Sequence, residues 1–275
     1  MSIFAKMKQG RTRLSLFCEY SCTERARQIA GALRLDDNRA RPVAIVGNLA
    51  ERDGNTLPLI LERNFMKRLI LACMLAAAPL PSAAQHLGGW TEQKFSLFSS
   101  NTWAQGRDAV NVASDGTASM IWTALPEAEW DTRTASWTWS VSDSVPPTAL
   151  DRKGGDDRNL SVYFVFMPAE IARQNQGASI TRLLKVDEAR VLMYVHGGAS
   201  ARGALLQSPY LGARGRTIVL RGAGTGQHSE SVDLARDYTR AFGGNATSLV
   251  GLALSADSDD TGSAIRASLS GLRLQ

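Results

Sequence analysis

The sequence predicts an all-β fold, a jelly-roll-like antiparallel β-sandwich with one or two short helices. Two observations on residues 85–275 support this class. Apolar and polar side chains alternate with a period of two along short runs, which is typical of half-buried strands. Gly, Asn, Asp and Pro separate these runs, and many short strands with turns between them are typical of two packed sheets. The segment holds 191 residues, enough for one buried core in a single domain.

The strands are predicted in chain order from these runs. Residues 110–122 alternate on both sides of an Asp-Gly turn and predict a hairpin. In residues 135–141, Trp137 and Trp139 share one face with Ala and Val, which predicts that both indoles lie in the core. Residues 160–167 are apolar on both faces, as in a central strand. Further strands are expected at residues 191–195 and 217–220, and a terminal hairpin at residues 249–254 and 264–269.

Helical spacing occurs in two places. Residues 232–242 carry apolar side chains at helical intervals, with Ser229 or Ser231 as the expected N-cap and Gly243 as the expected end. A second, short helix is expected near residues 168–174. These two helices interrupt an otherwise all-β pattern.

Residues 66–85 (MKRLILACMLAAAPLPSAAQ) have the pattern of an export signal: two basic residues, an apolar run, and small residues at the cut. We therefore expect translation to start at Met66, cleavage between Ala84 and Gln85, and residues 1–65 to be an over-extended reading frame rather than a domain. The alternative is an uncleaved anchor, but the apolar run is 12 residues long, whereas a span needs roughly 20. We expect a periplasmic or secreted protein with no stable membrane span after cleavage.

Charge and cysteine content exclude two classes of function for residues 85–275. The whole chain carries a net charge of +5, yet this segment holds 18 basic and 19 acidic side chains, so it lacks the one-signed field that nucleic acids require. All three cysteines lie at or before residue 73. The predicted mature chain therefore has no nucleic-acid partner, no cysteine nucleophile and no cysteine metal site.

Hard oxygen ligands are densest in the acidic turn of residues 255–263. Asp257, Asp259 and Asp260 are close in sequence and are candidate calcium ligands, because calcium takes six to eight oxygens. The spacing is not that of an EF-hand, and Asp and Gly are also ordinary turn residues. An ordinary hairpin turn therefore remains the alternative.

Other candidate binding residues are scattered along the chain. Asp156 and Asp157 precede the most apolar strand and can meet a ligand at the rim of the sandwich. His196 ends a strand before Gly-Gly, but no G-x-S-x-G motif accompanies it, so a turn histidine is expected rather than a catalytic one. The tryptophans in or near predicted loops are candidates for exposed stacking on sugar rings: Trp90, Trp103 and Trp130.

Five motifs, in this order and spacing, resemble the bacterial family known as domain of unknown function 3047, over about residues 95–275. They are ASWTWSV at 135–141, KGGDD at 153–157, VYFVF at 162–166, DLARDYTRAFG at 233–243 and DSDDTG at 257–262. The family has an aromatic residue near the position of His196. The resemblance implies an exported protein without an assigned activity, whose layout is similar to that of jelly-roll carbohydrate-binding modules.

We therefore expect a non-catalytic β-sandwich that binds a glycan or another component of the cell envelope. Two alternatives remain: a hydrolase that uses a pair of carboxylates, and a structural or assembly partner in the envelope. The hydrolase requires two of the carboxylates Asp156, Asp157, Asp237 and Asp257 to converge in a pocket. The expected ligand-binding residues are Asp156, Asp157, Asp237 and Arg240.

The export hypothesis predicts the first residue of the native protein. N-terminal sequencing of the protein from a fractionated cell should find Gln85 first, in the periplasm or the medium, because the small residues before it suit signal peptidase. Finding Met1 first, in the cytoplasm, would contradict both the start and the compartment.

Overall fold

The computed structural model describes residues 84–275. Residues 1–65 and the predicted export signal up to residue 83 lie outside the described residues. The strands are β1 Thr91–Lys94, β2 Thr102–Gln105, β3 Ala109–Asp115, β4 Ala118–Ala124, β5 Thr134–Asp143, β6 Arg158–Met167, β7 Arg190–His196, β8 Leu205–Ser208, β9 Gly212–Arg221, β10 Gly226–Asp233, β11 Ser248–Asp257 and β12 Ala264–Leu274. The helices are α1 Ala169–Gln174, α2 Ile180–Leu183 and α3 Leu234–Phe242, with a 3-10 turn at Glu127–Glu129.

Two sheets form the sandwich. The seven-stranded sheet has the order β1-β4-β11-β6-β7-β9-β8, and the five-stranded sheet has the order β10-β5-β12-β3-β2. All neighbouring strands are antiparallel except the parallel pair of β7 and β9. The predicted all-β, jelly-roll-like sandwich with few helices is confirmed.

The core lies between the two sheets and is rich in aromatic side chains. Trp137 and Trp139 project inward from β5, are buried as predicted, and contact each other edge to face at 5.5 Å between ring centroids. Phe164 on β6 and Tyr194 on β7 meet Trp137 from the opposite sheet. Strand β6 is the middle strand of its sheet and is buried on both faces, as its apolar sequence predicts.

Both predicted hairpins are wrong. Strand β3 belongs to the five-stranded sheet and β4 to the seven-stranded sheet, and β11 and β12 are divided in the same way. Each connection is a corner between sheets, and the two corners bond to each other through Gly116 N to Ser263 O at 3.0 Å and Ser258 N to Thr117 O at 3.1 Å. A strand with alternating apolar and polar side chains buries its apolar face against the core, whichever of the two sheets it belongs to. The alternation therefore does not show whether two consecutive strands pair in one sheet as a hairpin or pass from one sheet to the other at a corner.

Helices α1 and α3 lie where the sequence predicts them, but the cap of α3 differs. The helix ends at Gly243 (φ +76°) as expected, whereas Asp233, rather than Ser229 or Ser231, caps its start by accepting a hydrogen bond from Arg236 N. Both serines belong to strand β10, which pairs with β5 up to Asp233. None of the helices of residues 84–275 is long and apolar enough to cross a membrane.

The candidate stacking tryptophans are also placed differently from the expectation. Trp90 and Trp130 are buried and donate their indole N–H groups to the carbonyls of His86 and Leu125. Trp103 is half-buried and bonds Ser119 Oγ. Trp90 and Trp130 therefore have no exposed ring for a ligand, and Trp103 is only partly accessible.

His196 is the last residue of β7 and is 2% exposed, so the expected turn histidine is instead a core residue. Its ring contacts Trp139, and it meets His228 edge to face at 5.6 Å. Burial, His228 and Arg221 lower its pKa, and a backbone bond to Gly224 and the charge of Glu230 raise it; the pKa falls to about 4.

This environment predicts a pH-dependent stability. An unfolded histidine takes up a proton near pH 6.5 and the folded His196 only near pH 4, so the free energy of unfolding should fall as the pH drops through this window. Replacement His196→Phe should reduce that slope, measured as urea midpoints between pH 7 and pH 4.5. Equal slopes for the variant and the original chain would contradict the burial of a neutral imidazole.

Candidate functional site

A cleft of about 410 Å³ opens on the face of the seven-stranded sheet that points away from the core. Met120 on β4, Tyr163 on β6 and Met193 on β7 line it from the sheet, and Tyr210 in the β8–β9 turn lines its side. A second cavity, of about 360 Å³ on the five-stranded sheet, is lined mainly by Ser, Thr and Ala, and its charged residue Arg266 pairs with Asp115. Of these two cavities in the described part of the chain, the first brings several ionisable groups together, so it is the candidate site.

The pairing of two central strands creates the polar centre of the cleft. Arg158 is the first residue of β6 and Asp257 is the last residue of β11. The antiparallel register places these two residues opposite each other, next to a bulge between Ser255 and Asp257. Asp156 reaches the same point from the loop that leads into β6. The topology therefore joins two acidic segments that are a hundred residues apart in the chain.

Arg158 is nearly buried, and all three of its side-chain nitrogens donate hydrogen bonds. Its Nη1 contacts Asp156 Oδ2 at 3.0 Å and Asp257 Oδ2 at 3.1 Å. Its Nη2 contacts the hydroxyl of Tyr163 at 3.0 Å, and its Nε contacts Ser161 Oγ at 2.8 Å. This saturation compensates the desolvation of the guanidinium, which otherwise makes a buried arginine costly.

The carboxyl groups around Arg158 differ in their partners. Asp156 is bonded at both oxygens, because the Tyr210 hydroxyl donates to its Oδ1 at 3.0 Å. Asp257 Oδ1 is buried without a hydrogen-bond partner among the described residues. Burial, and the facing carboxyl group of Asp259, raise the pKa of Asp257, while Arg158 acts in the opposite direction. Burial, followed by the bond to Asp156, raises the pKa of Tyr210 to about 12.

Asp157 points away from the cleft centre and fastens the β11–β12 corner. It is completely buried and accepts hydrogen bonds from Thr261 N at 2.8 Å, Thr261 Oγ1 at 2.6 Å and Asp260 N at 3.3 Å. Consecutive residues of an extended segment point in opposite directions. The Asp156 side chain therefore lies in the cleft, and the Asp157 side chain lies at the β11–β12 corner.

The structure does not bring all the predicted binding residues together. Asp156 and Asp257 converge at Arg158, and Asp157 lies near Asp259 and Asp260. Asp237 and Arg240, the other two expected ligand-binding residues, lie on helix α3 and are not part of the cleft lining. Asp237 accepts a hydrogen bond from the Tyr194 hydroxyl at 2.9 Å on the core side of the sheet, and Arg240 lies on the exposed side of α3.

Sequence reasoning missed the residues that complete the cleft. Arg158 follows directly on the acidic pair and opens a strongly apolar strand, and a cation at the start of a buried strand is a signal that it needs acidic partners. Phe95 and Tyr210 line the cleft and are more than half exposed. Both lie in loops, where no periodic pattern marks them.

The family described as "Protein of unknown function (DUF3047)" matches residues 88–273. No curated protein matches the chain.

Solved structures show a distant likeness. The xyloglucanase domain of NopAA, a type three effector from Sinorhizobium fredii, in complex with cellobiose, is 10% identical over 72% of this chain and 99% of that chain, with a TM-score of 0.38. A cellulase derived from Cel12A of Rhodothermus marinus is 11% identical over 69% and 98%, with a TM-score of 0.36. The family 11 xylanase from Neocallimastix patriciarum is 9% identical over 67% and 99%, with a TM-score of 0.30.

The structural likenesses are too low to bear on function, and the family match stands on its own. It covers nearly all of the described residues, including the two tryptophans of β5, both acidic segments and helix α3. The chain belongs to the DUF3047 family of proteins of unknown function.

Proposed function

We propose that the protein is an exported binding module whose cleft on the seven-stranded sheet takes a glycan of the cell envelope. The observation that carries this proposal is the pair of exposed aromatic side chains at the cleft, Phe95 and Tyr210, which are 54% and 61% exposed. An aromatic ring that is left in water beside a concave polar site is a suitable platform for the apolar face of a sugar ring.

The polar lining suits hydroxyl groups. Asp259, Ser208 and Thr217 line the cleft together with apolar side chains, and carboxylate and hydroxyl oxygens accept or exchange hydrogen bonds with sugar hydroxyls. A few polar groups among apolar walls orient a ligand without requiring it to be charged.

The charge balance favours a neutral glycan over an acidic one. Asp156, Asp257 and Asp259 line the cleft, and the cation among them, Arg158, donates to two of these carboxylates and to neighbouring hydroxyls. An anionic ligand would meet these carboxylates, and the guanidinium of Arg158 is already paired with two of them.

Location in the periplasm or outside the cell is part of the same proposal. The proposed location rests on the export pattern of residues 66–85. The absence of cysteine after residue 73 is compatible with this location. An envelope polysaccharide is the ligand class that a secreted domain with this cleft would meet.

A hydrolase is the second candidate, and one observation favours it. The carboxyl groups of Asp156 and Asp257 are neighbours, because both contact Arg158 Nη1, and a two-carboxylate mechanism likewise uses a pair of nearby carboxyl groups. Against it, one oxygen of each carboxylate is held by the guanidinium, which lies between them. Because both carboxylates are paired with Arg158, the site is better suited to binding a ligand than to catalysis by these two groups.

The glycan proposal predicts the effect of two single substitutions. The full chain, titrated with a panel of neutral oligosaccharides that includes β-glucans, should bind at least one of them, seen as heat and as a raised melting temperature. Replacements Phe95→Ala and Tyr210→Ala should each weaken its Kd roughly tenfold, because each removes a stacking surface.

Phe98→Ala is the matched control, since Phe98 is 97% exposed but is not part of the cleft lining. An equal loss of binding in this control would contradict the cleft as the binding site, and no binding to any member of the panel would contradict the glycan proposal. Release of reducing ends in the same incubations, abolished by Asp257→Asn, would favour the hydrolase.

A further inference from the structure

The cleft has two chemically different parts. Its polar centre is the group of Asp156, Arg158 and Asp257 at the junction of β6 and β11. On the side of β7 and β9 the lining is mostly apolar. We call this part the apolar wall, and it consists of Leu150, Leu184, Met193, Val195, Pro209 and Leu211. A ligand that fills the cleft therefore meets an apolar surface as well as the polar centre.

The strand register places the apolar wall beside the polar centre. Val195 of β7 pairs with Ser161 of β6, and all cleft-lining residues of these strands project from the same face of the sheet. Met193 pairs with Tyr163 in the same way. Neighbouring strands lie about 5 Å apart, so the wall begins one strand away from the polar centre. The cleft therefore has a polar side and an apolar side that are continuous with each other.

Two half-buried leucines form the outer part of the apolar wall. Leu184 follows helix α2, and Leu211 lies in the β8–β9 turn next to Tyr210. Arg214 joins the two segments, because its backbone N–H donates to Leu211 O at 3.1 Å and its Nη1 donates to Leu184 O at 2.5 Å. The apolar wall is thus continuous with the exposed ring of Tyr210, which is one of the two proposed stacking surfaces.

The groups of the polar centre are already bonded to one another. Arg158 donates from all three side-chain nitrogens, and Asp156 is bonded at both oxygens. The Tyr163 hydroxyl contacts Ser255 Oγ at 3.0 Å as well as Arg158. A ligand that contacts only these groups exchanges existing hydrogen bonds for new ones and gains little net stability. At the apolar wall, by contrast, each methylene group that leaves water lowers the Kd about fourfold.

Two methionines make the lining adaptable. Met120 on β4 and Met193 on β7 lie on the two sides of the β6–β11 junction. Methionine is unbranched and polarisable, and its side chain fits ligands of irregular shape. An alkyl chain is a suitable partner for such a surface.

The charge of the cleft determines how an apolar group can be attached to its ligand. Asp156, Asp257 and Asp259 line the cleft, and Arg158 is paired with the first two. A free fatty acid would bring its carboxylate close to these like charges. An alkyl or acyl chain attached to a neutral sugar avoids this repulsion.

We propose that the cleft takes a neutral glycan that carries an alkyl or acyl chain, with the sugar at Phe95, Tyr210 and the polar centre and the chain along the apolar wall. This inference rests on the proposed glycan function and adds the chain to it. The volume of about 410 Å³ lies near the lower end of the range of small-molecule sites, which suits a short substituted glycan.

A matched pair of glucosides tests the apolar wall. Methyl β-D-glucoside and octyl β-D-glucoside have the same sugar and differ only in the length of the alkyl group. Both are titrated calorimetrically into the full chain, below the critical micelle concentration of the octyl compound. We expect the octyl compound to bind at least about tenfold tighter, the factor that burial of roughly two methylene groups gives. Equal Kd values, or no binding of either glucoside, would overturn the proposal.

Replacements in the apolar wall locate the chain. Leu184→Asn and Leu211→Asn should each reduce the ratio of the two Kd values to about threefold or less, because each places an amide where the chain packs. Leu184→Met and Leu211→Met should keep the full ratio, which separates loss of apolar surface from a change in folding. An unchanged ratio in both asparagine variants would exclude the apolar wall as the site of the chain.

Two control variants lie outside the cleft lining. Leu205→Asn alters another half-buried leucine, on β8, and should keep the octyl preference. The double replacement Leu97→Ser with Phe98→Ser removes two apolar side chains that are 93% and 97% exposed, and it should keep the preference as well. Loss of the preference in the double variant would place the chain on that loop and overturn the assignment.

Octanol distinguishes failure of this inference from failure of the glycan proposal. We expect octanol to bind more weakly than octyl β-D-glucoside, because it lacks the sugar. Equal affinity of the two would mean that the sugar contributes nothing, and would overturn the substituted glycan together with the glycan proposal. Binding of unsubstituted oligosaccharides without any octyl preference would leave the glycan proposal intact and refute the added chain alone.

Discussion

The site depends on one buried interaction, the contact of Arg158 with Asp156 and Asp257. Each of these side chains is almost removed from water, and each would be costly to bury alone. Together they fix the start of β6 against the end of β11 and hold the loop that carries Asp156 and Asp157. Through Asp156 this loop contacts Tyr210 at the side of the cleft, and through Asp157 it contacts the β11–β12 connection.

The corners between the sheets attach the acidic β11–β12 connection to the rest of the sandwich. Strands β3 and β4, and likewise β11 and β12, pass from one sheet to the other through short connections that bond to each other. Asp157 adds side-chain bonds to the second of these connections. The carboxylates on that connection therefore lie on a turn whose backbone is hydrogen-bonded to neighbouring segments, and such ordering reduces the entropy lost when a ligand binds.

Sequence reasoning predicted the class of fold, the positions of most strands, the burial of Trp137 and Trp139, and both predicted helices. It mistook two sheet corners for hairpins, because alternation of side chains specifies a face and not a partner strand. For the site it identified the two acidic segments but not their convergence, which the register of β6 and β11 determines. It grouped Asp237 with them, although a helical position gives no sign of the buried Tyr194 hydroxyl that binds it.

A double-mutant cycle on Arg158 and Asp257 tests the central interaction most directly. Urea unfolding would be measured for Arg158→Met, Asp257→Asn and the double variant. Arg158→Met alone leaves two buried carboxylates without their cation and should lower the free energy of unfolding by about 3–5 kcal/mol. The account predicts that the double variant loses at least about 1 kcal/mol less than the sum of the single variants. Additivity within about 0.5 kcal/mol would contradict it, because independent effects would mean that the two side chains do not hold each other in place.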